Sequence, residues 1–541
     1  MPMHISHRTA PHAFSMPALL LTLTLLCCGT VLQAQTRNVQ ISVPGTEPEE
    51  VTIAVNPTNP LNIVVGANLD YTYYSTDGGR TWEQREMDSQ YGVWGDPSVA
   101  FDPSGVLYFA HLSNPPTGYW LDRLVVQRST DGGAGWTNGA SLAVAPPTQQ
   151  DKEWLAADFT NGPRRGRLYI TWTQFAHYGS TATTDSSFIL CSYSSDGGNT
   201  WSPASRISDA GGDCIDSDST VQGAIPAVGP NGEVYTCWSD RKGLMFDRSL
   251  DGGATFGRDT LIETQPGGWD YSIPGLQRCN GFPITLCDIG TGPRRGAIYV
   301  VWSDQRNGTD NTDVFMMRST DGGGTWSPRR RVNADTGRTQ QFMTWAALDP
   351  VNGDLYVVYY DRRTGNGLAT DVYVARSADG GETFTERRVS DTSFVPNTGT
   401  FLGDYIGIAA YGGKAYPVWT RMDGSRTSVW TTTVDMTSAV PASDADMLPR
   451  RAVLERVSRS ASGTGFRVDF DLPRPCSARI SVVDLLGQTV RLLNAGGLDA
   501  GRHTTWWDGK GADGKRLAGG VYFVVLEAAG TTEARAVQPG R

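Results

Sequence analysis

STDGGRTW, residues 75–82, returns five more times along the chain: STDGGAGW from Ser129, SSDGGNTW from Ser194, SLDGGATF from Ser249, STDGGGTW from Ser319 and SADGGETF from Ser377. The octapeptide has the chemistry of a tight turn. Its Asp carboxylate can accept backbone N–H groups across the turn, Gly-Gly tolerates positive φ, and the closing Trp or Phe supplies an apolar plug. Each copy follows an alternating apolar run, such as DVFMMR before Ser319 or DVYVAR before Ser377, which places it between two strands. The aspartates, Asp77, Asp131, Asp196, Asp251, Asp321 and Asp379, recur every 54 to 70 residues, the length of a four-stranded unit with variable loops.

A second repeat counts those units. Before each octapeptide lie an apolar strand, a turn rich in Pro, Gly and Asn, and another strand, as in DPSVAFDPSGVLYFAH and MTWAALDPVNGDLYVVYYD. A seventh such hairpin, YIGIAAYGGKAYPVWT from Tyr405, has no octapeptide after it and leads to SVWTTTVD. Seven inner hairpins predict seven blades, and six octapeptides leave six as the alternative. The segment RNVQISV (residues 37–43) is the expected outer strand of the incomplete last blade, closing the ring and hiding both edges. The octapeptide is the Asp box, and its recurrence makes residues 35–436 resemble the sialidase-like Asp-box (BNR repeat) β-propeller superfamily. The resemblance implies an all-β propeller and a glycoside hydrolase of exo-sialidase kind, or a relative that recognises glycans or binds a protein or polymer without catalysis. True sialidases carry an F-R-I-P or Y-R-I-P segment whose Arg opens a carboxylate-binding triad, and neither segment occurs here.

If each blade runs from the inside outward, the segments entering the inner strands share one face with the loops after the second strands. Those loops carry WSDRK, WSDQR, YYDRR and, degenerately, WTRMD, which nominate Arg241, Arg306, Arg362 and Arg421 either as struts paired with nearby Asp or as a clamp for an anionic sugar. Residues that break the repeat are the sharper candidates. VWGDP supplies Trp94 and Asp96, DKEWLAAD supplies Glu153 and Trp154, and FLGDYIG supplies Asp404 and Tyr405. A glycosidase needs one carboxylic acid for the leaving oxygen and a second carboxylate, or in sialidases a Tyr paired with Glu, so Asp96, Glu153, Asp404 and Tyr405 are the expected catalytic groups. Trp94, Trp154 and Trp345 are the expected platforms for sugar rings. The alternative reading makes the acids strand caps or cation ligands and the aromatics filling between blades.

Composition narrows the partners. The 541 residues include 63 Gly and 30 Pro, which suit many turns, and a net charge of −10 advertises no surface for nucleic acid. No serine-hydrolase elbow, zinc-protease motif, phosphate loop or EF-hand pattern occurs, so no cofactor is expected and a structural Ca²⁺ is not indicated. The apolar run MPALLLTLTLLCC (residues 16–28) is too short to span a bilayer and precedes VLQAQ, which predicts a signal peptide over 1–34 and a secreted or cell-surface protein. Six cysteines follow it. Cys279 and Cys287 lie close enough in sequence to close a loop, but the pairing is open.

After residue 436 the pattern changes. Residues 437–459 read as a linker with Pro and Ala, and 460–541 as a small β-sandwich of short strands. VVDLLGQTVRLL and AGRHTTWWDGKGADGKRLAGGVYFVVLEA look like the Ig-like domain of flagellar hook-capping proteins and the related C-terminal sorting domain of type IX secretion substrates. That resemblance implies a secretion machinery as partner, or surface attachment.

Overall fold

The computed structural model describes residues 38–364, 367–436, 451–459, 465–474, 476–498 and 501–539. The expected signal peptide lies outside them. All regular secondary structure among the described residues is β. Residues 38–436 form seven sheets, six of four strands and one of five.

The innermost strands are Glu49–Val55, Ser98–Phe101, Gln149–Ala157, Gln222–Val228, Ile284–Cys287, Gln341–Leu348 and Gly407–Tyr411. Each touches the next, and the last lies back against the first, so the seven sheets form a closed ring. The closing sheet is a composite of the two ends of this region. Val39 and Gln40 pair with Thr431 and Trp430 of strand Arg426–Thr431, and Asn38 donates from Nδ2 to the Val389 carbonyl at 2.7 Å in the neighbouring sheet. The two-residue strand Val39–Gln40 thus forms the outer edge of the closing sheet.

Sequence dictates the radial order. Second strands such as Ile298–Asp304 (IYVVWSD) and Leu355–Asp361 (LYVVYYD) are apolar on both faces because each packs between two neighbouring sheets, and both are buried throughout. Trp172, Trp238, Trp302 and Trp419 recur at the same place in four of these strands, all but inaccessible. Outer strands such as Glu83–Glu86 (EQRE) are short, charged and mostly exposed. All six cysteines among the described residues are unpaired, Cys279 and Cys287 included.

The Asp boxes form one hydrogen-bond pattern six times. The Ser hydroxyl (75, 129, 194, 249, 319, 377) donates to the Asp carboxylate at 2.7–2.8 Å and accepts the second Gly N–H at 2.7–2.9 Å. Both glycines have positive φ, as at Gly78 (79°) and Gly79 (87°). The boxes also tie sheets together: Arg167 donates to the Gly252 carbonyl at 3.0 Å and Arg318 to that of Gly380 at 2.7 Å.

These bonds set an acid response. Hydrogen bonds from Thr200 pull Asp196 down to about 2. At Asp251 and Asp379 slight burial works the other way, but the bonds from Thr255 and Thr383 outweigh it, again to about 2. A carboxyl depressed on folding stabilises fully above its unfolded value, near 3.8, and loses that contribution as pH falls through its folded one. A triple variant, Asp196→Asn with Asp251→Asn and Asp379→Asn, is therefore expected to unfold at lower temperature than wild type at neutral pH. The gap should narrow between about pH 4 and about pH 2 in thermal melts; a constant gap would refute the account.

The C-terminal part has its own core. Strands Val453–Arg459, Phe466–Leu472 and Gly501–Trp507 form one sheet, and Thr489–Leu498, Cys476–Val483, Tyr522–Ala528 and Thr531–Val537 the other, in those orders. Leu454, Val468, Phe470, Ile480, Val482, Val524 and Leu526 pack between them, and Phe466 stacks on Trp507 at 5.2 Å. The strand Val453–Arg459 lies within the stretch 437–459 that the sequence reads as a linker, of which residues 437–450 are outside the described ones. Its charged centre, Glu455 and Arg456, hides the alternation, yet Leu454 is fully buried and Val457 pairs with Val468.

Candidate functional site

The strands that ring the axis enter it through a repeated irregularity. Pairing register shifts between Glu49 and Thr52, Asp151 and Trp154, Gln222 and Ile225, and Phe342 and Trp345. Each bulge holds one residue of positive φ: Glu50 (52°), Lys152 (51°), Gly223 (78°) and Met343 (47°). Asp96 (52°) takes the same conformation just before the second inner strand. Bulges re-aim side chains, and here two of them turn Glu50 and Lys152 towards each other and towards Asp96. Gly223 has no freedom to join them, because a Cβ there would run into the Phe282 ring.

Lys152 is the hub. Its Nζ lies 2.8 Å from Asp96 Oδ2, 2.9 Å from Asp404 Oδ2 and 3.6 Å from Glu50 Oε1, with the lysine side chain 5% exposed. Arg278 grips Asp404 with Nε at 2.7 Å and with Nη2, and its Nη1 lies 3.4 Å from Asp216 Oδ2. Neutral groups hold the remaining lone pairs. Asn68 donates to Glu50 and accepts the Asp96 N–H at 2.6 Å, the Asp404 N–H donates to Glu50 at 3.1 Å, and Gln222 donates to Asp216 (2.7 Å) and Asp151 (3.2 Å).

Burial and pairing split the acids into two kinds. Burial opposes ionisation of Asp404 and Asp96, but Lys152, joined by Arg278 at Asp404 and by Glu50 at Asp96, outweighs it and holds both below the usual carboxylate range. Glu50, Asp151 and Glu153 are pushed well above it, chiefly by burial and then by neighbouring charge. Burial also lowers Lys152, yet Asp404, Asp96 and Glu50 raise it further than burial depresses it. At the rim Glu49 is pushed up to about 8 by burial, Asp96 and Glu47, so it keeps a proton at neutral pH.

Below the charges the axis is filled. Trp154 lies 4.5 Å from Trp345 and 4.9 Å from Tyr405, ring centre to ring centre. The cavity among Asn280, Thr344, Asp404 and these aromatics is about 10 Å³, room for one water. Glu153 is 1% exposed, and neither its oxygens nor the Tyr405 hydroxyl has a hydrogen-bond partner among the described residues. Above the charges the surface opens. Trp94 (37% exposed) meets Trp120 (38%) edge to face at 6.1 Å, Trp120 meets Tyr178 at 5.6 Å, and the Tyr178 hydroxyl donates to Asp216 at 2.5 Å. Arg278, whose side chain is 36% exposed, lies over Phe401 at 5.2 Å.

Of the residues nominated from sequence, Asp96 and Asp404 meet through Lys152, and Trp154, Trp345 and Tyr405 meet on the axis. The four arginines do not converge. Arg306 grips Asp304 and reaches Glu263 (3.8 Å), Arg421 grips Asp423 (2.9 Å), and Arg241 is exposed beside Asp240. Arg362 is buried, with Nη1 donating to the Pro274 carbonyl at 2.8 Å. It is Arg363, the second Arg of the pair, that binds Asp361. Sequence reasoning passed over Glu50, Lys152, Asp216, Arg278, Trp120 and Tyr178. Its usable signals were the Lys inside DKEW and the Arg inside LQRCNG, each a basic residue in or before an inner strand.

Comparison with known proteins finds matches in both parts of the chain. The BNR/Asp-box repeat family matches residues 73–84 and the FlgD Ig-like domain family matches residues 455–532. A sialidase of Micromonospora viridifaciens is 24% identical over 324 residues, which is 56% of this chain and 46% of that protein. The chain thus spans less than half the length of that relative. Among solved structures, an α-L-arabinanase of Penicillium chrysogenum in complex with arabinobiose aligns at 16% identity, covering 63% of this chain and 92% of that one, with a TM-score of 0.41. A Trypanosoma rangeli sialidase in complex with sialic acid aligns at 12%, covering 84% of each, with a TM-score of 0.39. The chain carries Asp-box repeats, is a homologue of a sialidase, and ends in a FlgD Ig-like domain.

Proposed function

We propose that the seven sheets are the blades of one secreted propeller and that its charged mouth recognises extracellular glycans. One observation carries this reading: an exposed aromatic wall, Trp94–Trp120–Tyr178, runs directly into a half-exposed Arg278 held by Asp404 and Asp216. Aromatic faces carry the apolar side of sugar rings, and fixed polar groups beside them read hydroxyls. In this reading Asp96, Asp404 and Lys152 are positioning residues. They hold Arg278 in place and do not meet the sugar. Glu153 and Tyr405 belong to the filled axis. The sialidase relative and the arabinobiose-bound neighbour are in keeping with a glycan ligand, and the apolar run at residues 16–28 with export. The FlgD Ig-like domain would serve transport or attachment at the cell surface.

A second reading, hydrolysis, is favoured by Glu49, which stands at the rim with a proton to give at neutral pH. One experiment addresses both. The purified chain is titrated calorimetrically with sialyllactose, linear arabinan, xylan and β-1,3-glucan while released reducing sugar is followed. Binding to at least one glycan is expected, and Trp120→Ala should weaken it by about 1–1.5 kcal/mol, roughly 5- to 12-fold. Unchanged affinity in that variant would remove the aromatic wall from the site. Release of sugar that stops in Glu49→Gln would favour the hydrolase.

A further inference from the structure

Resting on that glycan reading, we infer that the mouth takes an internal stretch of a polymeric glycan laid across its surface, not a terminal sugar inserted along the axis. The axis has no room for one. Lys152, Asp404, Glu153 and Trp154 are each at most 5% exposed, and the cavity beneath them has room for no more than one water. Pockets that enclose a small ligand measure about 300–1,000 Å³.

A groove of about that size opens to the side instead. It measures about 370 Å³ and is lined by Asp218, Asp240, Arg241, Lys242, Gln265 and Gly268, with Arg241 and Lys242 exposed. Its floor is built, not incidental. The Asp218 carboxylate accepts the Asp270 N–H at 2.8 Å, the Trp269 indole donates to the Thr220 carbonyl at 3.2 Å, and any Cβ at Gly268 would run into the Asp218 carboxylate. The groove is tied to the aromatic wall through one short segment: Tyr178 bonds Asp216, two residues before Asp218, and Gln222 braces the same carboxylate.

Apolar faces therefore come first, at Trp94, Trp120 and Tyr178. A polar trough follows, with Asp218 and Asp240 to accept hydroxyls and Arg241 and Lys242 to donate to ring and hydroxyl oxygens. Trp94, Trp120, Arg241 and Lys242 along this path are exposed, so they offer a surface for several units. Affinity must accumulate over several units, each contributing a modest contact. The ligand class is a linear polysaccharide, and the groove beside Lys242 is its second subsite.

The test uses the full chain and fragments of whichever panel glycan binds, of rising length from the disaccharide, titrated one at a time. Affinity should rise at least about tenfold from disaccharide to the longest fragment, about 1.4 kcal/mol. Arg241→Ala with Lys242→Ala should cut that rise to about threefold or less while the melting temperature holds, both side chains being exposed. A disaccharide that binds as tightly as the longest fragment, or a double variant with the full length dependence, overturns the inference and leaves the glycan reading standing. Absence of binding by every glycan in the panel overturns both.

Discussion

Replacing Lys152 with methionine is expected to cost the propeller about 3–5 kcal/mol of folding stability, measured by urea denaturation. Lys152 is the only cation within 4 Å of Asp96 among the described residues, and it shares Asp404 with Arg278. Methionine fills much the same volume, so the loss reports charge and not packing. Removing one member of a buried ion group leaves the others charged where water cannot reach them. Two further measurements separate this from a general packing defect. Adding Asp96→Asn should restore part of the stability, because the uncompensated charge is gone. The penalty should also shrink in acid, since protonating Asp96 and Asp404 removes what Lys152 was there to offset. A loss below about 1 kcal/mol would mean that the carboxyls already share protons among themselves and need no lysine.

Truncating Trp154 to alanine is expected to cost about 3–5 kcal/mol as well, for a different reason. Its ring is 5% exposed and packs among Trp345 and Ile225 of two other sheets and Tyr405 just before a third, so alanine would leave a hole where the inner strands meet. The cost combines lost transfer energy with a cavity that the surrounding strands cannot collapse around, because the ring of sheets fixes their spacing. Phenylalanine at the same position should recover more than half of the loss. A thermal melt of the two variants beside wild type checks the order. If alanine proves as stable as phenylalanine, the three aromatic rings do not close the axis.

The two variants touch the part of the molecule that was least readable. The Asp box was legible because the bonds that shape its turn fall within eight residues: Ser75, Asp77, Gly79 and Thr81 meet each other wherever the chain goes. The hairpins were legible for the same reason. Lys152 was not, since Glu50 lies in another sheet and Asp96 and Asp404 lie in the segments that lead into two more, and no spacing in the chain encodes their meeting. Nor could sequence separate Arg362 from Arg363, neighbours in one loop of which one is buried under Pro274 and the other binds Asp361. Asp96 and Asp404 stood out only because they break the repeat, and the same reading placed them beside a substrate when the structure places them beside a lysine. Exposure was equally hidden: Trp94 and Trp154 both sit beside acidic residues at inner strands, yet the first is 37% exposed and the second 5%.

The composite closing sheet has a consequence for how the chain is made. The Val429 N–H donates to the Ser42 hydroxyl at 3.0 Å across 387 residues of sequence, and Val39 meets Thr431 beside it. During synthesis the strand at Val39–Gln40 emerges with no partner and must wait until nearly the whole ring has left the ribosome. The early sheets can form meanwhile, but the latch that joins first to last is the final event, and its loop-closure cost is large compared with that of any hairpin. A permuted gene that begins between two other sheets and joins residue 436 to residue 38 would turn this latch into an ordinary local hairpin. Such a protein would reach the same ring by an order of assembly in which no strand waits.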